Sequence, residues 1–232
     1  MNPDHAVDAA SLMQALHEKN PYEGFEGHGL HYDPQGWNSE RAIFHELLHR
    51  VQPRLVIEVG TWKGASAIHM GKYLQKQCPG HAKILAVDSW LGSLEFWERE
   101  KNPGLYQALR HRQGFPRVYE QFLFNVIHAG MQEVIIPFPQ TSLIAARWLL
   151  NRGVRAELIY IDGSHDAEDV ALDLKNYYAI LANGGMIFGD DYHSEDGGVR
   201  QAVGRFAEEH SVAVDLRENG QFWALEKPSK LI

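Results

Sequence analysis

The chain has 232 residues, with 22 Lys and Arg against 30 Asp and Glu, a formal net charge of -8 and one cysteine, Cys78. That length buries a substantial core and suits one α/β domain better than two, while the acidity argues against non-specific binding to nucleic-acid backbones, which needs clusters of Lys and Arg. One cysteine excludes an internal disulfide and a cysteine-rich zinc site, no apolar run approaches membrane-spanning length, and Met1-Asn-Pro-Asp-His lacks the charge and apolar stretch of a leader, so a soluble protein in a reducing cytoplasm is expected.

Residues 1–38 open with a short helical pattern (Ala10, Leu12, Met13, Leu16) and continue into Tyr22-Glu-Gly-Phe-Glu-Gly-His-Gly-Leu30. Glycines and aromatics in that mixture suit a loop folded over a surface, either a plain N-terminal arm or a lid over a site. Ser39 fits an N-cap for a helix whose Ile43, Phe44, Leu47, Leu48 and Val51 share one face, and Pro53 stops it. Leu55-Val-Ile-Glu-Val-Gly-Thr-Trp-Lys-Gly64 then reads as a buried parallel strand with a tight glycine turn into a helix at about 65–77. Backbone amides in such a turn can meet a carboxylate or phosphate. A dinucleotide fingerprint would need Gly at position 62, where this chain has Trp, which disfavours a nicotinamide oxidoreductase.

Cys78-Pro-Gly80 breaks the chain, and Lys83-Ile-Leu-Ala-Val-Asp-Ser-Trp90 reads as a second strand ending in Asp88. Residues 91–132 form a long aromatic excursion, with Pro103-Gly104 and Gly114-Phe-Pro116 dividing it into helical pieces. It is too apolar for disorder and too long for a plain connection, so it is expected to cap the sheet edge. Glu133–Phe138 reads as a third strand, 142–151 as a helix, Glu157–Asp162 as a fourth strand and Asp166–Leu181 as a helix closed by Asn183-Gly-Gly185. Met186–Asp190 reads as a fifth strand, Gly197-Gly198 opens a helix to about His210, and Val212–Leu216, Glu218-Asn-Gly220 and Phe222–Leu225 form a hairpin. Five alternations of strand and helix imply a doubly wound, mostly parallel sheet with a C-terminal antiparallel hairpin strand. Ligands of such sheets sit beyond the carboxyl ends of the strands, which places Gly60, Asp88, Asp162 and Asp190 along one rim.

Each rim residue suggests a chemistry. Asp88 can accept hydrogen bonds from the vicinal hydroxyls of a ribose, and Trp90 either stacks on an adenine or supports the cap. Glu58, an acid inside the strand, needs a donor from the turn or from a ligand ammonium. Asp162, Asp190 and Asp191 on neighbouring strand ends repel one another unless a cation sits between them, and oxygen ligands favour Mg2+, with Ca2+ or Mn2+ able to substitute.

Glu58-x-Gly60-x-x-x-Gly64, Asp88-Ser-Trp-Leu-Gly-Ser-Leu-Glu-Phe-Trp97, Phe124-Asn-Val-Ile-His-Ala-Gly130, Ile136-Pro-Phe-Pro-Gln-Thr-Ser142, Ile161-Asp-Gly-Ser-His165 and Gly189-Asp-Asp-Tyr192 resemble the class I S-adenosylmethionine (SAM) methyltransferases. The branch they look like holds sugar O-methyltransferases of the macrocin and mycinamicin type and cephalosporin-biosynthesis proteins, with similarity from about residue 36 to 226. The resemblance implies a Rossmann-like class I methyltransferase fold; the chain's own pattern sets that domain at residues 39–232, after the arm 1–38 and with the insertion 91–132, and the arm and the insertion carry little family signal. It implies SAM held by Glu58, Gly60, Thr61, Gly64, Ser66, Asp88, Ser89, Trp90, Ser142 and Asp162, a divalent metal on Asp162, Asp190 and Asp191, and His165 as the base. That family sometimes has Glu where this chain has Asp190. His193 is left as an extra ligand or a supporting partner.

The expected reaction is methyl transfer to a hydroxyl of a small molecule, a sugar or glycosylated metabolite. The same vicinal-oxygen geometry also suits a catechol-like phenol, and the cephalosporin resemblance leaves open a non-catalytic SAM-binding or hydroxylase-associated protein. No nucleic-acid or membrane partner is expected; the aromatic excursion leaves a homo-oligomer open.

Overall fold

The computed structural model describes residues 7–77, 80, 82–194 and 197–229. The expected break at Cys78-Pro79 therefore lies outside the described residues. Among those described, seven strands form one sheet in the order β3-β2-β1-β4-β5-β7-β6. They are β1 (Leu55–Val59), β2 (Lys83–Asp88), β3 (Ile135–Pro139), β4 (Ala156–Ile161), β5 (Leu181–Gly189), β6 (Asp215–Arg217) and β7 (Phe222–Glu226). The first five run parallel and β7 is antiparallel to both β5 and β6. This is the Rossmann-like sheet that the alternation predicts.

Helices cover both faces, because strands in the middle of a parallel sheet bury side chains on both sides. One layer holds α2 (Ala42–Val51), α3 (Ala65–Gln77) and α6 (Val118–His128), all contributing to one apolar cluster. At its centre Phe44 meets the rings of Tyr160, Phe188 and Phe222 edge-on, at centroid distances of 5.0, 5.6 and 5.9 Å. The other layer holds α7 (Ser142–Asn151), α8 (Ala167–Ile180) and α9 (Gly198–His210), joined by Leu12 of the short α1 (Leu12–Leu16). The insertion supplies two further short helices, α4 (Leu94–Trp97) and α5 (Pro103–Ala108). No helix among the described residues is long and apolar enough to cross a membrane.

Three local expectations change. Ser39 does not cap α2: Arg41 occupies the N-cap position without a side-chain bond, and Glu218 from the hairpin turn accepts from Ile43 N at 3.2 Å instead. A carboxylate at a helix N-terminus does the same work wherever it sits in the sequence. Asn183-Gly-Gly185 does not close α8, which ends at Ile180; the chain turns at Gly184 (φ +75°) inside an irregular start of β5, where the pairing with β4 skips from Ala156↔Leu181 to Leu158↔Met186. The β3 edge of the sheet is covered by the N-terminal arm, whereas the excursion divides: residues between Gly92 and Leu105 reach the cavity at the carboxyl rim, and α6 packs on the sheet face. Pro137 and Pro139 have no amide to offer a further strand, and the carbonyls of Ile135 and Pro137 accept from Tyr22 Oη (3.0 Å) and His17 Nε2 (2.7 Å).

Register brings the site together. Val59 pairs with both Val87 and Ile161, and Ile161 pairs with Gly189. The next residues, Gly60, Asp88, Asp162 and Asp190, therefore stand level at the carboxyl ends.

Candidate active site

A cavity of about 660 Å³ opens over that rim, where the chain departs to opposite sides from β1. This is the switch point at which open α/β sheets bind ligands. Gly60, Thr61, Ser66, Asp88, Ser89 and Ser142 line it, together with Asp162, His165, Asp190 and Asp191. Of the residues expected at the site, Glu58, Gly64 and Trp90 do not line it.

Gly60 (φ +85°) lets β1 leave the sheet beside β4; a Cβ there would stand 2.1 Å from the Asp162 carbonyl oxygen. The amides of Thr61 and Trp62 do not face the cavity as free donors. They donate to Asp88 Oδ2 at 2.9 and 2.8 Å, while Trp90 N donates to Oδ1 at 2.6 Å. Burial raises the Asp88 pKa and these amides oppose the rise. A carboxylate offers about four acceptor positions; these amides take three on Asp88, and the Ser89 amide also acts on it. Trp90 supports the cap: its ring is buried against Tyr119 and Phe122, and its Nε1 donates to the Trp62 carbonyl at 2.7 Å. Glu58 is fully buried with Ser66 donating to Oε1 and no partner for Oε2, and burial first, then Asp162 and Asp88, pushes it up to about 8. It acts from beneath the turn.

The carboxylates at the strand tips have different partners. Asp190 Oδ1 accepts from Gln221 Nε2 (2.5 Å) and Asp191 N (2.6 Å), and its Oδ2 accepts from Asn38 Nδ2 (3.1 Å). Asp162, His165 and Asp191 instead present ligand atoms within 4.8 Å of one another. Asp162 Oδ2 accepts from Tyr160 Oη at 2.9 Å, and burial followed by repulsion from Asp190 pushes its carboxyl up to about 8. His165 Nε2 stands 3.1 Å from Asp191 Oδ2; that hydrogen bond pushes the imidazole up to about 9 and holds Asp191 below its ordinary range. Two converging carboxylates, one resisting ionisation in the absence of positive charge, form a donor set that fits a divalent cation. His193 stands against Gly220 and Tyr192, away from the cavity lining.

The arm and the insertion each contribute residues to the cavity wall. Gln35, Gly36, Trp37, Asn38 and Ser39 line it from the arm, and Gly92, Ser93, Glu95, Phe96 and Leu105 from the insertion. The arm is fastened by a buried polar cluster. Asn125 on α6 accepts from Asp33 N (3.0 Å) and donates to the carbonyls of Asp33 (2.9 Å) and Lys63 (2.8 Å), and Lys63 Nζ reaches Asp33 Oδ2 at 2.7 Å and Gln35 Oε1 at 3.0 Å. Sequence reading missed Asn38, Glu95 and Gln221, each polar and unremarkable in its own segment. Trp62 carried a signal that was used only to exclude a dinucleotide; it packs on Phe96 at 4.6 Å and forms a cavity wall.

A family model described as a methyltransferase domain matches residues 57–192. No curated protein matches the sequence significantly. Among solved structures, the O-methyltransferase NovP is similar with a TM-score of 0.60 and 18% identity, covering 80% of this chain and 78% of its own. The O-methyltransferase TomG from Streptomyces achromogenes, solved with SAM, has a TM-score of 0.54 and 16% identity over 84% of this chain and 82% of its own. CalS11, described as a TDP-rhamnose 3'-O-methyltransferase of calicheamicin biosynthesis, has a TM-score of 0.53 and 15% identity over 79% and 77%. At these identities the likeness speaks for the fold.

Proposed function

The chain belongs to the methyltransferase domain family, and from that premise we propose that it is a SAM-dependent, divalent-metal-dependent O-methyltransferase acting on a small molecule, a sugar or glycosylated metabolite, in the branch that holds the macrocin and mycinamicin enzymes. The observation that carries this reading is the meeting of Asp162, His165 and Asp191 in the same cavity as Gly60 and Asp88. TomG's complex with SAM and CalS11's sugar chemistry support it by analogy of fold.

When bound, SAM supplies an already activated sulfonium methyl and a divalent cation supplies the charge that makes an alcohol more acidic. Asp88 and Ser89 hold the ribose end, and the Gly60 turn gives the donor close access to the backbone. Asp162 and Asp191 would hold the cation, with Asp190 fixed beside them by Asn38 and Gln221. His165 takes the acceptor proton in the state where Asp191 no longer holds its imidazole as a cation. Trp37, Trp62 and Phe96 keep the space dry and orient the acceptor, which is most of what a reaction with an activated donor requires.

The same aromatic walls favour a second reading, a catechol-like phenol as acceptor, since Trp62 and Phe96 would accept a flat ring. A calorimetric titration with S-adenosylhomocysteine (SAH), with and without Mg2+, tests the cofactor, and a screen of matched aromatic diols and sugars tests the acceptor. SAH binding in the micromolar range, turnover lost on chelation, and an Asp191→Ala variant that binds SAH within about threefold of wild type without turnover are expected. Failure to bind SAH, or undiminished turnover in Asp191→Ala, would overturn the reading.

A further inference from the structure

The arm reaches the strand-tip carboxylates through one side chain. Asn38 lines the cavity and donates from Nδ2 to Asp190 Oδ2 at 3.1 Å, across 152 positions of the chain. The direction of its amide is fixed from behind. Arg41 donates to Asn38 Oδ1 from Nη2 at 3.3 Å and from Nε at 3.4 Å, which turns the NH2 group toward Asp190. Arg41 Nε also lies 3.7 Å from Glu218, the carboxylate that accepts from Ile43 N. Three residues after Glu218, Gln221 donates back to Asp190 Oδ1. Arm, strand tip and hairpin turn thus form a closed ring of polar contacts around one buried carboxylate. Asn38 has a φ of +52°, a left-handed conformation that Asn tolerates better than most side chains.

Asp190 Oδ1 takes two donors, Gln221 Nε2 and Asp191 N, and Oδ2 takes Asn38. Of the roughly four acceptor positions on a carboxylate, the described residues leave one, on the oxygen that Asn38 holds. Asp190 shares its cavity with Asp162 and Asp191. Without positive charge among them the three repel one another, and Asn38 and Gln221 hold Asp190 against that push. A cation there removes the push. Resting on the metal-dependent reading above, we propose that Asn38 is a positioning residue for the cation site: by holding Asp190 it links cation binding to the docking of the arm, each strengthening the other. Coupling between two sites is reciprocal, so what the docked arm adds to cation affinity the cation returns as order in the arm. Trp37, next to Asn38, lines the cavity, so the docked arm also sets one of its walls.

Mn2+ reports on the site without turnover. The full chain is titrated with Mn2+, free ion is read by electron paramagnetic resonance, and hydrogen exchange of residues 31–39 is followed with and without the ion. In the wild type, Mn2+ is expected to slow that exchange at least about threefold. Two variants separate the amide from the backbone: Asn38→Ala, and Asn38→Gly, which suits the positive φ but carries no donor. Both are expected to weaken Mn2+ binding about 10- to 100-fold, with SAH affinity changing less, and to abolish the effect of Mn2+ on the arm. A loosened arm that had no part in the cation site would leave Mn2+ affinity unmoved. Mn2+ affinity within about threefold of wild type in both variants, or arm exchange indifferent to Mn2+ in the wild type, overturns the inference while the metal-dependent reading stands. A wild-type chain that binds SAH but no Mn2+ overturns both.

Discussion

Gly60 stands where β1 leaves the sheet, and the absence of a side chain there lets β4 end alongside it. Its φ of +85° and the 2.1 Å approach of the Asp162 carbonyl to a built Cβ make two separate demands for glycine. Gly60→Ala is therefore expected to lose about 2–4 kcal/mol in denaturant unfolding, from backbone strain plus overpacking, and to weaken SAH binding at least tenfold. Two residues earlier, Glu58 carries a pH signature. Its pKa rises from an ordinary 4.5 to about 8 on folding, so the native state holds a proton that the unfolded chain has released. Its contribution is fully present below about 4.5 and is lost as the pH rises toward 8. Glu58→Gln, which cannot ionise, is expected to flatten the decline of stability between those pH values, read from unfolding midpoints across the range. A wild-type and variant profile of equal slope would refute the buried, protonated acid.

At the scale of elements, two packing contacts transmit order to the site. The first turn of α9 rests on the His165 loop: a Cβ at Gly198 would lie 2.3 Å from the His165 carbonyl oxygen and 3.0 Å from Ala167 N. Gly198→Ala should displace His165 and lower kcat about tenfold or more, with SAH affinity changing less, because the close contacts at Gly198 are to His165 and Ala167 and not to Gly60 or Asp88. Asn125 on α6 ties together Asp33, Lys63 and Gln121 while fully buried. Removing it leaves several buried polar groups without partners. Asn125→Ala is expected to cost about 2–3 kcal/mol and to raise proteolytic cleavage and hydrogen exchange within residues 31–39. If those residues stayed as protected as in the wild type, the arm would be held by something other than this cluster.

Over the whole molecule, the alternation of strand and helix was legible because buried parallel strands and amphipathic helices leave different periods in a sequence. The rim was legible too: Asp88, Asp162 and Asp190 each follow an apolar run, and a parallel sheet must align such ends. What lay beyond reach depends on contacts between distant segments. Ser39 looked like the cap of α2 because local spacing favours it, but Glu218 from the far end of the chain reaches Ile43 N. Trp90 looked equally suited to a ligand and to a core, and only the positions of Tyr119 and Phe122 decide for the core.

The amino-acid order by itself determined the doubly wound sheet, the glycine turn and the rim of carboxylates, since each follows from local periodicity and from the chirality of βαβ connections. Tertiary structure alone decided how those carboxylates are held. Asp190 is held by Asn38 of the arm and Gln221 of the hairpin, while Asp162 and Asp191 converge with His165. The reason is physical: the partners of Asp190 lie 31 and 152 positions away in the chain, and no window of sequence contains them.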